Sequence, residues 1–226
     1  MMPIEDYLSK LEVLYEDNHI IAVVKPSGIL SQKDITGDFD MTELVKLYLK
    51  KKYSKPGEVY LGLIHRLDRP VGGVMVFART SKAASRLSED IRNHEFYKTY
   101  WALVEGVISA PGTIELNIKK NEEKLVSKIA EAGDEDGKPS SLTYKPLQSN
   151  GKVTLLEVSL ISGRFHQIRL SFSSIGHPII NDQKYGYRGP KISDDLCLWC
   201  TSIRFRHPVS KVWVEVTNHP TNWPIG

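Results

Sequence analysis

Apolar residues in this chain mostly alternate with polar ones or cluster in short runs, and only three stretches space them like a helix. From Val13 to Val24 the chain is apolar, turns polar at Glu16-Asp17-Asn18, and is apolar again, the pattern of two short strands around a turn. Lys25-Pro26-Ser27-Gly28 closes the second strand, and a residue of fixed φ followed by one without a Cβ predicts a tight turn. Residues 29–40 have no period and read as a loop. Between Met41 and Tyr53 the positions Leu44, Leu47 and Tyr48 recur at helical spacing. Lys50-Lys51-Lys52 suits the negative end of that helix's dipole, and Pro56-Gly57 stops the segment.

Short strands are expected at Tyr60–Ile64 and Val74–Ala78, then a helix capped by Thr80 or Ser81 with Ala84, Leu87 and Ile91 facing inward. A strand follows from Lys98 to Val104, closed by Gly106. Residues 113–161 read as an antiparallel meander, with an acidic turn at Gly133–Gly137 and a hairpin at Asn150-Gly151. A third helix is expected over Phe165–Ile175, with Ile168, Phe172 and Ile175 on one face and Gly176 as its left-handed terminator. The last strands are Cys197–Arg206 and Lys211–Thr217. Many strands and few helices without strict alternation predict an α+β fold, a large, mostly antiparallel mixed sheet with flanking helices. At 226 residues, without repeats or a linker, the chain reads as a single catalytic-size domain over 1–226 with its core at about 13–217.

Composition narrows the class without naming it. The chain is 41% hydrophobic and 25% charged, ordinary for a globular protein, and its formal net charge of +3 is compatible with an RNA partner without specifying one. No apolar run is long enough to span a bilayer, and the acidic start Met1-Met2-Pro3-Ile4-Glu5-Asp6 is unlike a secretory signal. The expectation is a cytoplasmic protein, monomeric by default, with no membrane association. Cys197 and Cys200 are the only cysteines. They make no disulfide framework and no four-cysteine zinc site, and in a strand they read as buried thiols. No dinucleotide glycine fingerprint and no Walker pattern occurs, so no cofactor of either kind is expected. A metal-dependent hydrolase using His65, His166 and His177 finds no ligand spacing in its favour.

Four clusters carry polar chemistry. In His65-Arg66-Leu67-Asp68-Arg69-Pro70, a carboxylate lies between two arginines that would favour its ionised form, ready to act as nucleophile or base. Phe96-Tyr97-Lys98-Thr99-Tyr100 offers aromatic rings that stack on a base. In Gly163-Arg164-Phe165-His166-Gln167-Ile168-Arg169, His166 and Arg169 are three apart, on one face of a helix. Gly176-His177-Pro178-Ile179-Ile180-Asn181-Asp182, followed by Tyr185-Gly186, has the composition of a turn. Taken singly, each has a structural reading: a loop ion pair, a core aromatic, an exposed polar face, a turn.

Taken in order, these clusters resemble the RluA-type pseudouridine synthases. The shared patterns are H-R-L-D with a following small-residue pair, K-x-Y, G-R-x-H-Q-I-R, and G-H-P-(two apolar)-x-D-x-x-Y-G. The Lys25-Pro26-x-Gly28 turn and the closing Phe205-x-His207-Pro208 belong to the same resemblance, which runs from about Val13 to Val216. It implies a pseudouridine synthase fold and an enzyme that isomerises uridines in structured ribosomal or transfer RNA. It also implies that Asp68 is the catalytic aspartate and that Tyr100 packs against the target base. By the same resemblance, Arg169 pairs with the aspartate and Arg66 fills the space left by a flipped nucleotide, while Arg164 and His166 support them. The chain departs from the family at Val71-Gly72-Gly73, where T-S-G is common, at Asn181, where glycine is common, and at Trp199-Cys200, where His-Ala is common. No separate S4-like RNA-binding domain is expected before Val13. The competing reading is an RNA-binding or chaperone-like protein of the same fold without catalysis.

Overall fold

Two runs that are apolar on both faces, β2 (Ile20–Lys25) and β4 (Gly72–Ala78), pair antiparallel and form the buried centre of one half of the structure. The computed structural model describes residues 4–131, 133–193, 195–221 and 223. Met1-Met2-Pro3, part of the acidic start, and the last three residues lie outside them. The chain divides into two units, Met1–Tyr97 with Cys200–His219, and Lys98–Trp199 with Pro220–Gly226.

In the first unit, β1 (Val13–Glu16) pairs with β2, β3 (Gly62–Leu63) pairs with β4, β10 (Leu198–Arg206) lies beside β4, and β11 (Trp213–Thr217) pairs with β10. The ladders β1–β2, β2–β4, β3–β4 and β10–β11 are all antiparallel. Helix α2 (Met41–Lys52) buries Met41, Leu44, Val45 and Leu49, spaced to make one stripe. The Asp40 carboxylate caps it by accepting the Thr42 and Glu43 amides at 2.6 and 3.1 Å. Helix α3 (Ser81–Arg92) is capped by Thr80, the first of the two expected candidates. Its buried residues are Ala83 and Leu87, so the inward stripe is turned by one residue from the expected one and Ile91 is only half-buried. A short helix α1 (Ile4–Ser9), too brief to show a period, precedes the first strand.

One position that keeps the family pattern and one that departs from it, Gly73 and Asn181, both have physical reasons. Gly73 has φ +119°, and a Cβ there would lie 2.3 Å from the Cys200 carbonyl oxygen, so only glycine allows β4 this close to the neighbouring backbone. Asn181 has φ +68°, the left-handed conformation that glycine and asparagine adopt most readily. It also ties down the following loop. Its amide nitrogen donates to the Ser193 carbonyl and hydroxyl and to the Asp195 carbonyl, and its oxygen accepts the Ile192 amide.

The second unit is the expected meander. β5 (Tyr97–Glu105), β9 (Val153–Leu160), β8 (Lys138–Ser149), β6 (Gly112–Asn121) and β7 (Val126–Ile129) lie side by side in that order, every ladder antiparallel. Asn150-Gly151 makes the β8–β9 turn, with Gly151 at φ +84°. Helix α4 (Gln167–Ser174) starts two residues later than expected because His166 stands at φ +50°, which stops an α-helix. Phe172 is buried, but Ile175 is exposed where an inward position was expected. Gly176 terminates the helix in the left-handed conformation, as expected. A short 3-10 turn, Gln183–Tyr185, follows. The α+β class with mostly antiparallel pairing and flanking helices holds. No helix among the described residues is long and apolar enough to cross a membrane.

Candidate active site

In the segment that follows β3 and leads to Asp68 burial alternates: His65 and Leu67 are buried, Arg66 is exposed and Asp68 half-buried. The apolar and aromatic members therefore lie inward, while the arginine and, in part, the carboxylate stay accessible. The inward members are fastened. The Val76 amide donates to His65 Nε2 at 3.1 Å. Ser31 Oγ accepts the Leu67 amide at 3.0 Å and donates to the Leu67 carbonyl at 2.6 Å.

Past Asp68 the chain turns, and the Lys25-Pro26-Ser27-Gly28 turn holds it there. The Val71 amide donates to the Asp68 carbonyl at 2.9 Å. The Gly28 amide donates to the Arg69 carbonyl at 2.8 Å, and Ser27 Oγ to the Pro70 carbonyl at 2.8 Å. Lys25, fully buried, sends its ammonium to the Pro26, Arg69 and Val71 carbonyls at 3.0, 3.0 and 2.7 Å. Three carbonyls match the three donors of a lysine. Every backbone carbonyl from Leu67 to Val71 thus has a partner, and the carboxylate sits on a backbone with little freedom to move. Arg69, expected to help keep Asp68 ionised, does something else: it pairs with Asp38 at 2.7 Å, and its Nε donates to the Gly28 carbonyl.

A second polar centre is built in the second unit around Arg169, on the first turn of α4. Arg169 Nε donates to Asp182 Oδ2 and Nη2 to Asp182 Oδ1, both at 2.7 Å, a bidentate pair with both side chains buried. Its Nη1 lies 3.2 Å from His166 Nε2. Arginine only donates, so Nε2 must be the bare nitrogen and Nδ1 carries the ring hydrogen. Nδ1 then donates to Tyr185 Oη at 2.9 Å, which also accepts the Ser127 amide at 2.6 Å. Such an imidazole has to stay neutral. Burial, then the cations Arg169, Lys184 and Lys120, push the His166 pKa down to about 3. Burial likewise raises the Tyr185 phenol. Phe165 stacks on the imidazole with ring centres 3.8 Å apart.

Tyr100 lies in β5, opposite Val158 of β9, which is in turn opposite Tyr144 of β8. Directly paired residues share a face of the sheet. The Tyr144 ring meets Phe172 of α4 edge-on. Tyr100 and Arg169 therefore belong to the same side of this unit's sheet, with Tyr100 buried at 5% exposure. Arg164 is exposed at the turn before α4, its Nε donating to the Pro139 carbonyl at 3.1 Å.

Of the residues singled out from sequence, Arg66 and Asp68 share one loop of the first unit. Tyr100, Arg164, His166 and Arg169 belong to the second, where His166 and Arg169 touch although His166 is outside the helix. Asp182 and Tyr185 appeared in the sequence as parts of a turn-rich segment, and the structure makes them the partners of Arg169 and His166. Their signal was there in D-x-x-Y-G after an arginine helix, but turn composition masked it. His207 is a further anchor: it accepts the Val209 and Ser210 amides at Nδ1, so Nε2 bears the hydrogen it donates to Asp17 at 2.7 Å. Among the described residues no group of three His, Cys, Asp or Glu side chains converges as metal ligands. Both cysteines are buried and outside any disulfide, and burial raises the Cys197 thiol pKa.

The RNA pseudouridylate synthase family matches this chain over residues 19–174. A tRNA pseudouridine synthase C of Vibrio cholerae is 31% identical, covering 89% of this chain and 87% of the relative. A ribosomal large subunit pseudouridine synthase C of Vibrio parahaemolyticus is also 31% identical, covering 90% of this chain but 64% of the relative. The fold is similar to that of human RNA pseudouridylate synthase domain containing 4, with a TM-score of 0.76, 22% identity, and coverage of 97% of this chain and 90% of that one.

Proposed function

The chain belongs to the RNA pseudouridylate synthase family and is an RNA pseudouridine synthase, and from that premise we propose that Asp68 is the catalytic carboxylate acting on a uridine flipped out of transfer or large-subunit ribosomal RNA. The observation that carries this reading is the Asp68 loop. A half-buried carboxylate in a segment whose neighbours His65 and Leu67 are fastened inward, on a backbone whose carbonyls are bonded from Leu67 to Val71, is preorganised for chemistry on a bound substrate.

The reaction breaks the uridine N1–C1′ bond, turns the freed uracil, and bonds C5 to C1′. Nothing is oxidised, and the C5 proton is the only atom lost to solvent. The chemistry therefore asks for no redox cofactor and no energy source. A stacked base is out of reach, so the nucleotide leaves the helix at a cost of a few kcal/mol that protein contacts offset. In this reading exposed Arg66 occupies the vacated stack, Tyr100 packs against the flipped base, and Asp68 acts at the ribose as nucleophile or base. Arg169 supplies a fixed positive charge to the carboxylate. Its own orientation is set by Asp182 and by neutral His166. Exposed Arg164 is given a supporting, RNA-binding role. The family match runs through both units, which supports reading them as one catalytic domain. The proposal takes the enzyme as a cytoplasmic monomer, beside its RNA.

The test is release of tritium from RNA labelled at uridine C5, using tRNA and large-subunit rRNA transcripts separately, followed by mapping of the product position. Release from one of them with a mapped pseudouridine supports the reading. RNA binding without release from either would turn it toward the noncatalytic RNA-binding protein.

A further inference from the structure

The hairpin of β10 and β11 carries an arrangement that the catalytic reading leaves unused. On its outer face Arg206 is directly opposite Trp213, and Arg204 opposite Glu215. The strands alternate here: Ile203, Phe205 and Val216 are buried, while Arg204, Arg206, Trp213 and Glu215 are exposed. Both guanidinium groups lie against the indole, Arg204 at 4.7 Å and Arg206 at 5.0 Å from the ring centre. The Tyr97 ring adjoins it at 5.9 Å. With three neighbours, Trp213 still keeps 40% of its surface exposed and Tyr97 49%.

Acids are near, but neither pairs with these arginines. Glu215 accepts the Ser202 hydroxyl at 3.0 Å, and Asp90 on α3 lies in the field of Lys211 and Arg206 without bonding either. Neither Arg204 nor Arg206 forms an ion pair among the described residues. Two arginines beside two exposed aromatic rings make an uncommon surface for a protein to hold open to water. The rings provide planar apolar area, and each guanidinium presents several donors that no carboxylate takes up.

We propose that Trp213 and Tyr97, with Arg204 and Arg206, form a stacking platform for single-stranded RNA bases outside the target uridine. The rings take the bases and the arginines take the flanking phosphates. The chemistry fits single strands better than duplex, because only unpaired bases expose a face to an aromatic ring. The assignment rests on the enzyme's RNA substrate class, but not on which residue performs the catalysis. The Asp68 loop plays no part in it.

The test uses the full chain, a fluorescent single-stranded oligouridylate, and a duplex RNA of equal length. Trp213→Ala is expected to weaken oligouridylate binding roughly 5- to 100-fold, the range for one lost stacked base. Trp213→Phe should restore most of the affinity. Arg204→Gln with Arg206→Gln should flatten the salt dependence, lowering the slope of log affinity against log salt by about 1.4, at about 0.7 per phosphate on a single strand. Steady-state tritium release by Trp213→Ala should show a raised KM and an unchanged kcat. Unaltered affinity and salt slope would overturn the platform. So would equal losses in Trp213→Ala and Trp213→Phe that follow a fall in Tm, which would make the indole only a cover for the hairpin. Stronger binding to duplex than to the single strand would overturn it as well. If no variant, wild type included, released tritium while the binding differences persisted, the catalytic reading would fail and the platform would stand.

Discussion

Asp182→Ala removes both acceptors from the bidentate face of Arg169. The two bonds are 2.7 Å long, and the side chains are 6% and 1% exposed, so solvent does little to replace the lost carboxylate. Removing one member of a buried ion pair typically costs about 3–5 kcal/mol, because the remaining charge loses its compensation. For a chain of this size each kcal/mol lowers Tm by roughly 2–4 °C, so the variant should melt about 6–20 °C lower. Removing both charges should hurt less than removing one. Arg169→Met with Asp182→Leu fills similar volume with apolar groups and is expected to recover most of the loss. Tyr185 limits that recovery, since its ring also sits 4.9 Å from the guanidinium carbon. The assay is urea unfolding followed by circular dichroism on the wild type, both single variants and the double. A loss below about 1 kcal/mol for Asp182→Ala, or a double variant as unstable as the sum of the singles, would refute the reasoning. On the proposed role of Arg169 the double variant should nevertheless be inactive, because stability returns without the guanidinium.

His166, held neutral between Arg169 and Tyr185, predicts an acid-sensitive fold. Its folded pKa of about 3 lies below the ordinary value of 6.5, so the unfolded chain takes up a proton that the folded one refuses. The stabilisation is complete above pH 6.5 and is lost as pH falls toward 3. Between pH 7.5 and pH 5 the wild type should lose about 2 kcal/mol more than His166→Gln, at about 1.4 kcal/mol per pH unit, in paired urea titrations. Equal pH slopes for the two proteins would contradict the neutral assignment. Gly73→Ala should fail to accumulate as folded protein or lose about 3 kcal/mol or more, because its Cβ would overlap the Cys200 backbone. Thermal melting of the soluble fraction checks this, and a normal Tm would refute it. Lys25→Met strands the Pro26 and Val71 carbonyls, leaves the Arg69 carbonyl with the Gly28 amide alone, and should lower both stability and turnover, with a loss of about 2 kcal/mol or more. Unfolding by urea together with tritium release reads both effects.

Much of the fold was legible because the patterns are local. The β1–β2 turn, the Thr80 cap, the Asn150-Gly151 hairpin and the Gly176 terminator each depend on residues within a few positions of one another. Where local pattern yielded to tertiary contact, the reading slipped. The helix expected from the spacing of Ile168, Phe172 and Ile175 includes Phe165 and His166, but His166 gives up helical φ and its ring lies between Arg169 and Tyr185. Ile175 has the right spacing for the core, but it lies one residue past the end of α4 and is exposed. The site residues came from motif order rather than from chemistry visible at any single position. What the motifs left unspoken is the scaffolding. Lys25 is 44 positions from the Arg69 carbonyl and 46 from that of Val71, and Asp182 is 13 positions from its arginine. No spacing rule links partners so far apart, and a buried lysine in a turn reads as solvent-exposed until the fold closes over it.

The most direct measurement is single-turnover conversion by Asp68→Asn, with the affinity for the same RNA determined in parallel. Asparagine keeps the size and the backbone bonds but cannot carry the negative charge. The account predicts binding within a few-fold of wild type and no pseudouridine formed over many wild-type half-lives. Product formed at near-wild-type rate by bound Asp68→Asn would contradict it.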